Sequence, residues 1–239
     1  MNAYIDAYIL KTIDYQEHSK LVYFYTPEGQ KSAIARGVKK LDSPLRHLIQ
    51  PSTLAQFDLS KGKLPTVKDG MSLQYYPNIK QDLIKSTVLS TVNDLIYFNV
   101  SETDDHPKLF RFLKKFIHQL NKSEHSLELL MVFEMKLLAF LGYFINFKHC
   151  YVCQEADALT MEIGTGLIAC KQHASSERET ITENVYAPLK YYLHCDILEF
   201  KSFDVSSSEL TSLAQIINAM YQSHLAFSSK SKKLLMTLL

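Results

Sequence analysis

Three cysteines and one histidine form two short hooks in the second half of the chain. Cys150 and Cys153 are separated by two residues, as are Cys170 and His173, and sixteen residues lie between the hooks. The two-residue spacing lets both members of a hook reach one ion from a tight turn. Three thiolates and one imidazole suit the tetrahedral coordination that Zn²⁺ prefers. The spacing therefore predicts one structural zinc ion.

This predicted zinc site is closed, because protein atoms would fill all four coordination positions. A closed site is structural and argues against zinc-activated hydrolysis. A zinc-containing nucleic-acid-modifying enzyme, such as a deaminase, is an alternative that needs a His-x-Glu hook and a Pro-Cys-x-x-Cys motif. Neither Cys150 nor Cys170 follows a proline, and no His-x-Glu lies just upstream of them.

Other roles for the hooks stay open at this point. Cys150 and Cys153 could form a redox pair, although no β-α-β pattern surrounds them. The thiols could also be buried without a metal. The spacing alone does not fix geometry, so His149 or Cys195 could replace His173 as the fourth ligand.

Length and composition indicate a globular protein of one large or two ordinary domains. The 239 residues are 46% hydrophobic and 21% charged, with a net charge of +1. Charged residues interrupt the apolar runs and the first residues lack a secretory pattern, so no membrane partner is expected. Cysteines in metal spacing fit a reducing cytoplasm better than a disulfide framework. We expect a cytoplasmic protein.

The first eighty residues are predicted to form short strands. Runs rich in β-branched and aromatic residues alternate with turns, and they fall at 4–13, 21–26, 31–38, 52–59 and 64–76. About five strands without a long helix favour a small closed barrel. We expect a five-stranded barrel of the oligonucleotide-binding (OB) type over residues 1–80.

The same region is the basic part of the chain. Residues 1–80 carry 11 Lys/Arg against 7 Asp/Glu, whereas the remainder carries 15 against 18. Cations neutralise phosphates and aromatic faces stack bases, so this mixture suits single-stranded nucleic acid. Solvated loops and aromatic barrel core would produce the same pattern. The candidate nucleic-acid-binding residues are Lys31, Arg36, Lys39, Lys40, Arg46, Lys61 and Lys63.

Residues 81–239 are predicted to form a helical bundle domain with a zinc-ribbon-like finger inserted at 148–176. Apolar residues recur with helical periodicity over about 82–99, 107–120 and 126–143. Glu134 falls on the apolar face of the third helix, where a paired structural carboxylate is the common outcome. Between the hooks, 164–166 join two short β runs as in a hairpin. Ser206 and Glu209 form a capping box for a later helix, and the basic run 230–233 is expected to be solvated or to touch phosphate.

Several separated motifs, in order along the chain, resemble the bacterial recombination mediator family RecO. They are the segments 15–22, 25–30, 35–40, 43–46 and 48–51, and Phe133 to Tyr143, which resembles the family's F-E-x-x-L-L-x-x-L-G-Y. The chain departs from the family at Arg36, Val38, Lys39 and Lys40, where the changes keep the charge. It also has His173 where a second Cys-x-x-Cys would supply a fourth thiolate.

The resemblance implies a recombinational DNA repair protein without enzymatic turnover or a small-molecule substrate. Its implied partners are single- and double-stranded DNA, RecR, and the acidic C-terminal tail of single-stranded DNA-binding protein (SSB) on the helical domain. Its implied work is to anneal complementary strands and to help RecA load onto SSB-coated DNA, in association with the nucleoid. A zinc-ribbon adaptor that binds only protein is a further alternative, and it predicts no salt-dependent affinity for DNA.

Overall fold

The computed structural model describes residues 4–143, 145–156, 159–162, 166–174 and 181–237. Contacts divide the chain into two compact units, Met1–Lys122 and Ser123–Leu239. Within the described residues, no helix combines the length and apolar character needed to cross a bilayer.

The first unit contains a five-stranded antiparallel sheet followed by helices. Its strands run in the order β3-β2-β1-β4-β5. They are β1 (Ile5–Tyr15), β2 (Ser19–Thr26), β3 (Gly29–Ala35), β4 (Leu54–Leu59) and β5 (Val67–Ser72). The prediction of short strands in the first eighty residues is therefore confirmed.

The two outer strands of the sheet approach each other at one point. An isolated parallel bridge joins Ile34 to Thr66, and the Ile34 N–H donates to the Pro65 carbonyl at 2.8 Å. The described residues show this one bridge between β3 and β5 instead of a continuous ladder. The predicted closed OB barrel is thus not confirmed.

The first half of strand β1 is buried on both faces. Ala7 and Ile9 belong to the apolar cluster inside the sheet, with Phe24 and Phe57. Tyr8 and Leu10 alternate with them and are also buried. Because successive side chains of a strand point to opposite faces, the second pair needs a separate cover. Helix α2 packs on β1 and can cover the face that carries Tyr8 and Leu10.

Three helices complete the first unit. They are α1 (Pro77–Gln81), α2 (Leu83–Asn99) and α3 (His106–Lys122); α2 packs on β1 and α3 on β2. The first compact unit extends to Lys122, because these helices cover the sheet. The predicted domain extents, including the insertion at 148–176, stay predictions.

The second unit is built around helix α4 (Ser126–Phe140). It packs against α5 (Glu183–His194) and α6 (Ser207–Leu225). A 3₁₀ turn, Ile197–Glu199, follows α5, and the last described helix is α7 (Lys230–Thr237). The capping box is confirmed, since Ser206 and Glu209 exchange side-chain and backbone hydrogen bonds at the start of α6.

A small ribbon lies between α4 and α5 in the sequence. Strands β6 (Leu159–Met161) and β7 (Ile168–Cys170) pair antiparallel, with Leu159 opposite Cys170. This pairing agrees with the two β runs expected between the hooks. The predicted hairpin turn includes residues 164 and 165, which lie outside the described residues, as do 175 and 176 of the predicted insertion.

Candidate metal centre and nucleic-acid surface

The structure brings the four predicted metal ligands together. One donor atom from each of Cys150, Cys153, Cys170 and His173 lies within 4.8 Å of every other. The Cys153 and Cys170 sulfurs are 3.8 Å apart, and His173 Nδ1 lies 3.3 Å from the Cys170 sulfur and 3.8 Å from that of Cys150.

These separations fit one tetrahedral ion. Two sulfurs at about 2.3 Å from a zinc ion lie about 3.8 Å apart at the tetrahedral angle, and a sulfur and a nitrogen lie about 3.5 Å apart. The cluster could hold one metal ion, and it leaves no coordination position for water or substrate.

Local hydrogen bonds place the hooks. The first hook is a turn closed by the Gln154 N–H on the Cys150 carbonyl at 3.1 Å, and the Tyr151 N–H attaches it to Ile168 of β7 at 2.8 Å. The second hook follows β7 directly, with the His173 N–H donating to the Cys170 carbonyl at 3.0 Å. The ribbon therefore sets the distance between the hooks.

The environment of the thiols favours thiolate at one position. Burial raises the pKa of Cys150, but backbone donors from Cys153, Cys170 and Val152 outweigh it and bring that pKa to about 6. The pKa of Cys153 is raised overall: a backbone donor from Glu155 lowers it, while burial and the neighbouring thiols raise it more. A metal would meet one thiol that is already largely ionised near neutral pH.

The two alternative fourth ligands have other contacts. Nδ1 of His149 lies 3.0 Å from the Gln154 carbonyl oxygen. Cys195 ends α5, with its sulfur 3.9 Å from the Tyr192 carbonyl oxygen. Neither belongs to the cluster found among the described residues.

The candidate nucleic-acid-binding residues lie on the first unit. Arg36, Lys39, Lys40 and Arg46 are exposed in the segment that follows β3, and Lys61 and Lys63 are exposed in the β4–β5 connection. Lys31 lies on β3 and pairs with Glu28. The Ile34–Thr66 bridge places the β4–β5 connection beside β3.

Part of this set surrounds one small cavity of about 270 Å³, here called the basic cavity. Lys39 and Arg46 line it together with Lys20 and Asp14. Lys39 Nζ donates to the Asp14 carboxylate at 2.9 Å, and this hydrogen bond and charge lower the pKa of Asp14. The cavity therefore holds three cations and one carboxylate at the surface.

Lys20 also belongs to this basic surface, although it is not among the candidate nucleic-acid-binding residues predicted from the sequence. It pairs with Ala35 of β3 and with Asp14 of β1 in the sheet. A sequence signal was present, because a hairpin turn at 16–18 places Lys20 opposite Asp14 and next to the end of β3.

Comparison with known proteins covers almost the whole chain. The family model described as "Recombination protein O N terminal" matches residues 1–76, and "Recombination protein O C terminal" matches residues 80–233. The chain is similar to proteins named "DNA repair protein RecO" from Bacillus mycoides (strain KBAB4) and Bacillus cereus (strain AH187). Each is 26% identical over 236 residues, which are 97% of this chain and 95% of the relative. The chain belongs to the recombination protein O family of DNA repair proteins.

Proposed function

We propose that this protein is a recombinational repair mediator that binds DNA through the exposed cations of its first unit. In this role it anneals single strands and, with RecR, helps RecA load onto SSB-coated DNA. Single- and double-stranded DNA are both ligands, and the SSB tail binds in the region 81–239. The protein works at the nucleoid in the cytoplasm and has no enzymatic turnover.

The observation that carries this proposal is the basic cavity. Lys20, Lys39 and Arg46 come from different parts of the chain and meet on one surface, and Arg36 and Lys40 are exposed in the same connection. Several cations on one surface can neutralise successive phosphates, which gives sequence-independent, salt-sensitive affinity.

The contact between the two outer edges of the sheet supports an OB-type fold as part of the proposal. In a five-stranded Greek-key barrel the sheet curls until its edges pair. The Ile34–Thr66 bridge is such an edge-to-edge contact. We propose that the basic connection after β3 and the β4–β5 connection, with Lys61 and Lys63, flank the DNA-binding face.

Zinc is the metal that we propose for the four-ligand cluster, and its role there is structural. Thiolate-rich tetrahedral sites favour Zn²⁺ over Mg²⁺ or Ca²⁺. When bound, the ion would fix the two hooks relative to each other. The closed ligand set gives no support to a zinc-dependent enzyme.

The test is binding of the full chain to a fluorescent single-stranded oligonucleotide, followed by anisotropy over a series of salt concentrations. We expect affinity to fall linearly on a log–log plot. The triple variant Arg36→Glu/Lys39→Glu/Lys40→Glu should reduce the slope by about 2, since each lost phosphate contact removes about 0.7 for a single strand. Its melting temperature should match wild type because these side chains are exposed.

A matched control reverses one arginine and two lysines elsewhere on the same unit. Lys108, Arg111 and Lys115 are exposed on α3, and reversing them should leave the salt slope nearly unchanged. Equal salt slopes for the two triple variants would contradict the assignment of Arg36, Lys39 and Lys40 as phosphate contacts. Absence of binding even at low salt would instead support the protein-only adaptor.

A further inference from the structure

A second cavity of the first unit lies next to the basic cavity. It has a volume of about 600 Å³, within the range of small-molecule sites. The segment 47–54, the end of β5, helix α1 and the first turns of α2 form its walls. Gln50 lines both cavities, so the two cavities adjoin at this residue.

The lining of this larger cavity combines flat aromatic surface with neutral polar groups. Tyr75 and Tyr76 supply the rings, Gln50 and Gln74 the amides, and Ser52 and Thr53 hydroxyls. Leu48, Leu54 and Leu89 add apolar surface. None of the lining residues that the structure describes is acidic, so a phosphate-bearing ligand would meet no carboxylate in the wall.

Some of these polar groups are arranged for a ligand. Thr53 Oγ1 is buried and has no hydrogen-bond partner among the described residues, a state that costs free energy unless something pairs with it. The Tyr76 hydroxyl donates to Gln74 Oε1 at 2.8 Å. That bond occupies the amide oxygen of Gln74 and leaves its NH₂ group as a donor.

The mouth of the cavity carries a cation on an aromatic ring. Lys80 Nζ lies 5.1 Å from the centre of the Tyr75 ring, and Tyr75 is 65% exposed. An exposed ring beside a lysine can stack on a base while the ammonium group faces the adjoining phosphate.

We infer that the cavity receives one unstacked nucleobase of the DNA strand held on the basic surface. The inference rests on the proposed function and adds to it a subsite that reads the base instead of the phosphate. A base fits this lining because its flat faces suit the tyrosines and its polar edge can pair with the amides and Thr53. An acyl chain would leave those polar groups unpaired.

The test compares three oligonucleotides of equal length at one low salt concentration. The first is all thymidine, the second has abasic sugar-phosphate at every position, and the third has a single thymine in an otherwise abasic strand. Wild-type protein should bind the first on the order of tenfold more tightly than the second, the effect of stacking one base. The third should recover part of this difference, because one cavity accepts one base and the single thymine reaches it in one binding register.

Two variants test whether the cavity causes the difference. Tyr75→Ala removes the exposed ring, and Ser90→Trp places a bulky side chain on an exposed α2 position of the cavity wall. Both should bind thymidine and abasic strands with nearly equal affinity. The control Phe98→Ala, which truncates a 61% exposed aromatic at the other end of α2, should retain the wild-type difference.

Different results would contradict the base pocket and the proposed DNA-binding function. Equal wild-type affinity for thymidine and abasic strands, with a normal salt slope, would overturn the base pocket and leave the phosphate-binding surface intact. A difference that persists in both cavity variants would overturn it as well. Absence of binding to any strand would overturn the pocket and the proposed function together.

Discussion

Lys232 Nζ lies 2.6 and 2.8 Å from the two carboxylate oxygens of Glu134, although 98 residues separate them in the chain. Both side chains are almost fully buried, at 6% and 1% exposed. Glu134 is on α4 and Lys232 on α7, so this ion pair ties the last described helix to the central helix of the second unit. The Tyr221 hydroxyl donates to the Glu134 carbonyl oxygen at 2.9 Å, which brings α6 to the same place.

Substitution of only one residue of this ion pair should strongly destabilise the second unit. We expect Lys232→Met to lower the free energy of unfolding by about 3–5 kcal/mol at pH 8, because it leaves the Glu134 carboxylate buried without a counter-charge. The double variant Glu134→Leu/Lys232→Met should recover most of that loss, since an apolar pair of similar volume avoids burying charge. Urea denaturation of wild type, Glu134→Leu, Lys232→Met and the double variant gives the coupling energy.

The neighbouring Lys233 supplies the control for the ion-pair cycle. It is exposed on the same helix, so Lys233→Met should change stability by no more than about 0.5 kcal/mol. A Lys232→Met protein as stable as Lys233→Met would show that the buried pair contributes little.

The Lys232→Met variant should also become relatively more stable on acidification. Burial raises the pKa of Glu134, and Lys232 opposes that shift by its charge and hydrogen bonds. Without Lys232 the folded-state pKa rises further above the unfolded value of about 4.5. Between those two values the folded protein holds a proton that the unfolded chain lacks, so stability increases as pH falls through the window.

Melting temperatures of wild type and Lys232→Met from pH 8 to pH 5 would measure this effect. The gap between the two proteins should narrow towards pH 5. A gap that stays constant or widens on acidification would contradict a buried carboxyl group whose folded-state pKa is raised.

Removal of the metal should destabilise the second unit. We expect about one zinc per chain by elemental analysis, and we expect Cys150→Ser or Cys170→Ser to abolish it, because the four-ligand set would be incomplete. The melting temperature should then fall by about 5 °C, equivalent to roughly 2 kcal/mol for a chain of this size. Cys195→Ser is the matched control and should keep both metal and stability. Full zinc occupancy in Cys150→Ser would refute the ligand assignment.

Acid should release this metal because protons compete for thiolates and imidazole. Without a bound metal the pKa of Cys150 is about 6, and a bound metal ion keeps this thiolate deprotonated to a lower pH still. Zinc transfer to a colorimetric chelator should therefore be slow at pH 7.5 and increase steeply below about pH 6. Transfer independent of pH would argue against thiolate ligation.

Asp14 should weaken DNA binding by competing with phosphate for Lys39. The Asp14–Lys39 pair is exposed and contributes little to stability. We expect Asp14→Asn to bind single-stranded DNA about two- to threefold more tightly at low salt, with the advantage fading as salt screens the charges. Glu102→Gln makes the same charge change at an exposed position in the loop before α3 and should have a smaller effect. Equal gains in both variants would indicate net charge alone.

The sequence by itself determined most of the elements and the four residues of the candidate metal cluster. Period-two and helical patterns located the five strands of the first unit and helices α2, α3, α4 and α6, because burial imposes those spacings locally. The two hooks identified Cys150, Cys153, Cys170 and His173 because each pair meets within a single turn. Ser206 and Glu209 were recognisable for the same reason, since a capping box spans four consecutive residues.

Only the tertiary structure decided which distant groups meet. Lys232 belongs to a run that the sequence assigns to solvent or phosphate, but in the structure it is buried in an ion pair with Glu134 of α4. Lys20, Lys39 and Arg46 line one cavity. Lys20 is placed there by the pairing of β2 with β1 and β3, and the other two lie in the segment that follows β3. Likewise, the larger cavity collects residues from four segments. Such contacts depend on how elements pack in three dimensions, and no local pattern in the chain records that packing.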